Sequence, residues 1–320
     1  MFLGEIAHWS LLMGQPFRQP ASVLRYQDQR VRYLLRHAWK NVPYYRRLME
    51  EARVHPDSIR GVADLERLPV SRRVDLQALP LVDRIAAGTN PADCLEFGTS
   101  GSTGRPLRLL RTQREQTMLI GFRLRAQVLS GLRPWHTRVN LGAPPKLTLM
   151  HRLGVFRIQN LPLDLSLDEI VPRLQVLQPD VLKVVPGMLE PMLRRFSVAT
   201  LRGFGVRLLF SGAESLTRPL HEEAEAAFGC PLVDLYGSTE LNLMAWECRH
   251  CGQYHTVDDN VVVEVLRDGA DRLHPARKAR SSSPRCTCLP CRSSATRWAT
   301  SCAGRPRHAA AASGSGTSST

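Results

Sequence analysis

The stretch Phe97-Gly98-Thr99-Ser100-Gly101-Ser102-Thr103-Gly104-Arg105-Pro106 holds the residue types best suited to gripping an anion. Glycines at 98, 101 and 104 let the backbone turn tightly with its N–H groups exposed, and the hydroxyls of Thr99, Ser100, Ser102 and Thr103 add donors. Convergent donors of this kind suit phosphate oxygens. No Lys follows Gly104, so the loop is not a Walker motif. A flexible linker is the bland reading, but the loop lies between a strand candidate at 94–97 and a helix candidate at 113–129. Two further motifs each end a strand candidate: Phe210-Ser211-Gly212-Ala213-Glu214 and Tyr236-Gly237-Ser238-Thr239-Glu240. In open α/β sheets ligands gather beyond the carboxyl ends of strands. There an aromatic ring can stack on a purine, a glycine allows close backbone approach, and a carboxylate can hold Mg²⁺. A lone Glu at a strand end is ordinarily a solvated charge; three motifs in chain order at three strand ends say much more.

The elements that would position these motifs are readable from hydrophobic spacing. Leu24, Val31, Leu34, Leu35, Ala38 and Trp39 recur at three and four, the pattern of a one-sided helix that Pro43 stops. A second short helix follows through Ala52, with further starts at Asp57-Ser58-Ile59 and Asp64-Leu65. Beyond residue 91, strand candidates at 94–97, 139–141, 180–185, 206–210, 232–236 and 261–265 alternate with helices. The helix at 167–177 is expected to be capped near Ser166, with Asp168 and Glu169 in its first turn. Alternation of this kind predicts an α/β sheet with mostly parallel strands. The chain divides into a helical region at 1–90, an α/β nucleotide- and acyl-binding core at 91–267, and a tail at 268–320.

Composition separates that tail from the rest. The 320 residues are 43% hydrophobic and 22% charged, which excludes disorder throughout. No apolar run approaches the roughly 18 residues of a spanning helix. The first fourteen residues lack the basic leader of a secretory signal, so a cytoplasmic location is expected. The net charge of +14 is uneven, because the stretch from Ala270 onward holds nine Lys or Arg against the single acid Asp271. That stretch has few large apolar side chains to offset roughly 1–2 kcal/mol of ordering entropy per residue, and is expected to be disordered.

Taken together, TSGSTGRP, SGAESL and YGSTE resemble the adenylate-forming superfamily of acyl-CoA synthetases, luciferases and peptide-synthetase adenylation domains. The opening LLRHAWKNVPYYRRLMEEA and DLERLPV is similar to that of the phenylacetate–CoA ligase-like branch. The resemblance implies the large N-terminal domain of that fold, layered sheets with helices. It implies activation of a small carboxylic acid by ATP to an acyl-adenylate, then transfer to a thiol of coenzyme A or a carrier protein. By the same resemblance Thr99, Ser100, Gly101, Ser102, Thr103 and Gly104 would hold the β- and γ-phosphates. Gly212, Ala213 and Glu214 would line the adenine pocket, with Tyr236 and Gly237 against the purine. Thr239 would bind the α-phosphate and Glu240 would ligate Mg²⁺. The acyl pocket would draw its walls from Leu141-Gly142-Ala143-Pro144 and Val185-Pro186-Gly187. No membrane partner is expected, and assembly as a homodimer is left open.

Cys248-x-x-Cys251 followed by His255 has spacing suited to tetrahedral Zn²⁺, with a fourth ligand missing. Unrelated thiols and a surface His are the equal rival reading. Members of the family continue past the last strand with an Arg-Tyr-x-x-Gly-Asp motif that grips ribose, and then a lid domain with a catalytic Lys; neither stands in this sequence. Read one base out of phase, residues 278–300 permit that ribose motif, its Gly forced by Trp298-Ala299, and residues 308–313 permit Cys-x-Cys-Gly. The expectation is therefore a frame change between about residues 268 and 278, a lid domain absent, and a chain that binds ATP weakly with little acyl-CoA synthesis. The clusterable Cys286, Cys288, Cys291 and Cys302 carry no weight on that reading. The alternative from another class is a non-catalytic zinc-stabilised protein whose basic tail contacts nucleic acid.

Overall fold

The structure, a computed structural model, describes residues 19–98, 107–142 and 153–264. Helix α1 (Pro20–Asn41) starts on a proline and ends where Val42, held extended by the following proline, passes the chain into α2 (Pro43–Glu51). The expected stripe on α1 is only partly used. Val31, Leu35, Ala38 and Trp39 are half-buried, whereas Leu24 and Leu34 stand exposed. Among the described residues, α1 packs mainly against α2 and 3-10 turns at Pro56–Ser58 and Val62–Arg67. Those turns are where further helix starts were expected. Two short helices, α3 (Arg73–Ala78) and α4 (Leu81–Arg84), lead into the sheet region.

Strands β1 (Leu95–Gly98) and β2 (Arg108–Arg111) pair antiparallel as a separate hairpin, Gly98 opposite Arg108. Thr112 then caps α5 (Gln113–Leu129), its side chain and that of Glu115 exchanging hydrogen bonds with each other's backbone N–H. The main sheet begins with β3 (Arg138–Leu141) and β4 (Ile158–Leu161). It continues through α6 (Leu167–Leu177), β5 (Val181–Lys183), α7 (Pro186–Arg195), α8 (Val198–Arg202), β6 (Leu208–Gly212) and α9 (Arg218–Phe228). The chain then adds β7 (Leu232–Ser238), β8 (Asn242–Glu247) and β9 (Tyr254–Thr256). The spatial order is β4-β3-β5-β6-β7-β8-β9, parallel as far as β7 and antiparallel for the last two.

Two apolar layers clamp this sheet. On one face Val139, Leu141, Leu182 and Leu209 pack against Ile170 and Leu174 of α6, Leu189 and Met192 of α7, and Ala224 and Phe228 of α9. On the other, Val181, Leu208, Phe210, Val233 and Leu235 meet Phe122 and Ala126 of α5. Neighbouring strands β3 and β5 connect in opposite directions, to β4 and to β6, which makes their carboxyl ends a switch point of the sheet.

Five segments differ from expectation. Strands β2, β4, β8 and β9 were not anticipated, and β2 places the Ser/Thr/Gly loop inside a hairpin instead of at a strand-to-helix corner. Residues 261–264 form no strand, and Val265 lies outside the described residues. Val261 N–H closes a turn onto the Val257 carbonyl at 2.9 Å, and both side chains are buried in the layer under α5. An apolar run can satisfy burial without a ladder partner. The tail at 268–320 lies outside the described residues.

Candidate functional site

Thr99, Ser100, Gly101, Ser102, Thr103 and Gly104 lie outside the described residues, but the hairpin stem on either side of them does not. Arg111, the last residue of β2, is buried, and its Cζ sits 4.7 Å from the centre of the Phe97 ring on β1. Its Nη2 donates to the main-chain carbonyls of Thr239 and of Glu240, the latter at 3.0 Å. One guanidinium thus ties the stem of the first motif to the end of the third. Burial holds its pKa down, partly offset by Glu115 and Glu240. That bond uses the Glu240 main chain, while the Glu240 side-chain charge acts on Arg111 from nearby. The Glu240 carboxylate has no hydrogen-bond partner among the described residues.

The third motif is not the loop that was expected. Tyr236, Gly237 and Ser238 belong to β7 and pair with β8, with a register shift between Tyr236 and Gly237. A Cβ on Gly237 would fall 1.8 Å from the Asn242 carbonyl oxygen, so β8 can approach only because residue 237 lacks a side chain. Tyr236 is 50% exposed and its ring stacks on no other among the described residues. Thr239, also exposed, begins the turn.

The second motif leaves β6 beside it. A Cβ on Gly212 would meet the Leu235 carbonyl of β7 at 2.5 Å, so the ends of β6 and β7 lie against each other. Ala213 takes a positive φ of 74°, an unfavourable conformation for alanine that turns the chain out of the strand. Glu214 is exposed, and its Oε2 accepts the N–H of Gly187 at 2.7 Å. Gly187 lies in the first turn of α7, where the helix dipole favours an anion. Glu214 therefore fastens the β6 loop to the end of β5.

The zinc expectation names Cys248, Cys251 and His255. Among the described residues no three His, Cys, Asp or Glu side chains are gathered as a metal ion requires. Cys248 is buried, Cys251 is exposed in the turn after β8, and His255 is buried in β9 with its ring stacked on Trp246 at 5.1 Å. That turn is closed by backbone bonds, Cys248 N–H to Gln253 at 2.7 Å and Gly252 N–H to Cys248 at 2.9 Å.

Residue patterns missed a set of cations. Burial, with Arg123 and Arg138 nearby, pushes the Lys183 ammonium down to about 8. Burial and Arg123 bring Arg138 down to about 10. The signal was present: Lys183 interrupts the apolar run Val181-Leu182-Lys183-Val184-Val185.

A largely parallel sheet, with the exposed Tyr236 ring and Glu240 near the carboxyl end of β7 and a separate hairpin tied to them through Arg111, is an α/β arrangement. The family model described as AMP-binding enzyme matches residues 25–265, and the chain belongs to that family, within the adenylate-forming superfamily and its phenylacetate–CoA ligase-like branch. Similar proteins include phenylacetate–coenzyme A ligase of Escherichia coli, 28% identical over 253 residues, covering 75% of this chain and 57% of that protein. The Thermus thermophilus protein of the same name is 24% identical over 226 residues, covering 67% and 50%. This chain thus spans little more than half the length of the curated relatives it matches. An open conformation of 2-hydroxyisobutyryl-CoA ligase, in complex with 2-HIB-AMP and CoA, superposes with a TM-score of 0.68 at 20% identity, over 81% of this chain and 64% of that one. The likeness is one of fold.

Proposed function

We propose that this chain carries the nucleotide-binding side of a carboxylate-activating ligase, in which a carboxylic acid and ATP give an acyl-adenylate and pyrophosphate, and the acyl group passes to the thiol of coenzyme A or a carrier protein. The carrying observation is the Arg111 bridge, which brings the stem of the Ser/Thr/Gly loop to the carbonyls of Thr239 and Glu240 beside the end of β6. Thr99 to Gly104 would supply donors to the β- and γ-phosphates, and Thr239 to the α-phosphate. Tyr236 offers an exposed ring face for the purine, with Gly212, Ala213 and Gly237 permitting close approach. The Glu240 carboxylate fits a hard cation, and Mg²⁺ held there would neutralise charge on the phosphates. The attacking acid is already ionised at neutral pH and needs no general base. Donors aimed at the departing pyrophosphate stabilise its developing charge. No helix among the described residues is long and apolar enough to cross a membrane, and we place the reaction in the cytoplasm.

Thermal unfolding with and without ATP and Mg²⁺ tests the proposal. ATP is expected to raise the midpoint, and Arg111→Leu to weaken ATP binding about tenfold by releasing the stem, the loss typical of a charge-assisted hydrogen bond. Absence of ATP protection, together with a salt-sensitive shift of DNA, would replace the ligase reading with a nucleic-acid-binding one.

A further inference from the structure

Beneath α5 the sheet changes character along its width. From β6 to β8 this face is apolar, built from Leu208, Phe210, Val233, Leu235 and Leu243. On β5, β3 and β4 the side chains on the same face are Lys183, Arg138, Asn140 and Asn160. Strand alternation places them there: Val139, Leu141 and Leu182 enter the opposite layer, and Val181 enters the layer under α5. Register sets Asn140 beside both Lys183 and Asn160, and Arg138 beside Val181. From the helix above, Gln127 accepts from Arg138 Nη1 at 2.6 Å, and Arg123 stands one turn earlier. The side-chain partner of Arg123 is the neutral Oδ1 of Asn242.

No counter-charge appears in this set. Arg123 and Arg138 both act on Lys183, and among the described residues none of the charged groups acting on Lys183 or Arg138 is acidic. Lys183 has no hydrogen bond or ion pair among the described residues. Arg138 Nε is a buried donor with no acceptor among the described residues, and Asn140, on the same face, is only 8% exposed. The stretches 99–106 and 143–152 contain no Asp or Glu that could complete the set. Half-buried cations with no anion among the described residues lose part of their hydration without return, and a site needing only packing is better served by Met or Leu. The set lies at the β3/β5 switch point, immediately before Leu141-Gly142 and Val185-Pro186-Gly187, the expected walls of the acyl pocket.

We propose that Lys183, Arg138 and Arg123, with the Asn140 amide, bind an anionic group at the far end of the acyl substrate, so that the acid activated is a dicarboxylate. The inference rests on the ligase reading above. One carboxylate oxygen attacks the α-phosphorus as the bond to pyrophosphate breaks, and pyrophosphate leaves with the bonding electrons. The second carboxylate stays ionised against the cations and does not react. A monocarboxylate of equal length would leave the cations unanswered and an apolar end beside them.

Calorimetric titration of the full chain with glutarate and adipate, against valerate and hexanoate and without nucleotide, tests this. The dicarboxylate is expected to bind about tenfold tighter at equal length, the worth of one charged hydrogen bond. Lys183→Met is expected to abolish the preference, with Arg138→Gln as the second variant should the first fail to fold. Equal binding, binding of neither class, or a preference that survives both substitutions overturns the inference. ATP protection of the parent chain is measured separately. Protection without a dicarboxylate preference defeats this inference alone, and a preference without protection defeats the ligase reading alone.

Discussion

Gly237 shows how a single missing side chain sets the site. With a Cβ 1.8 Å from a backbone oxygen of β8, relief requires the two strands to part, because no flexible side chain can give way. Gly237→Ala is expected to lower stability by about 1–3 kcal/mol, the usual cost of overpacking, read as a lower urea midpoint with ATP binding lost as well. Lys183 makes a second, pH-dependent case. Its folded pKa of about 8 lies below the 10.5 of a free lysine, so the unfolded chain holds the extra proton between those values. Stability therefore rises with pH across that window, by at most about 1.4 kcal/mol per unit. Urea titrations from pH 8 to 10 should show the parent gaining on Lys183→Met as pH rises; parallel curves would mean that the lysine is not desolvated.

Between elements, the junction of α5 with the segment after β9 rests on Arg125 and Asp259. Their two bonds are both 2.7 Å, and the side chains are only 2% and 8% exposed. Removing one partner strands a buried charge, so Asp259→Ala is expected to cost about 3–5 kcal/mol in chemical unfolding, while replacing both by apolar residues should cost far less. This junction was illegible from sequence, since 134 residues separate the pair. The helix that carries Arg125 was legible to the residue, because the Thr112–Glu115 capping box and the start of α5 are local chemistry. Likewise the parallel strands 181–183 and 208–212 announce themselves as short apolar runs. The hairpin strand Arg108-Leu109-Leu110-Arg111 is hidden by its flanking arginines, and β8 by the polar turn of the motif before it. Of the candidate site, the three motifs stand out in the sequence because each sets glycine beside hydroxyl residues next to a strand candidate. The bond from the Gly187 N–H to Glu214 is a tertiary contact that spacing does not encode.

At the scale of the molecule, two layers of helices hold one mixed sheet, and the motif-bearing ends of β6 and β7 meet a separate hairpin through Arg111. Everything proposed for the nucleotide depends on those three segments sharing one ligand. Amide hydrogen exchange with and without ATP and Mg²⁺ measures this directly. The account expects slower exchange together in peptides spanning residues 97–108, 211–216 and 236–241, with the α1 region unchanged. Slowing confined to one of the three, or to none, would contradict it.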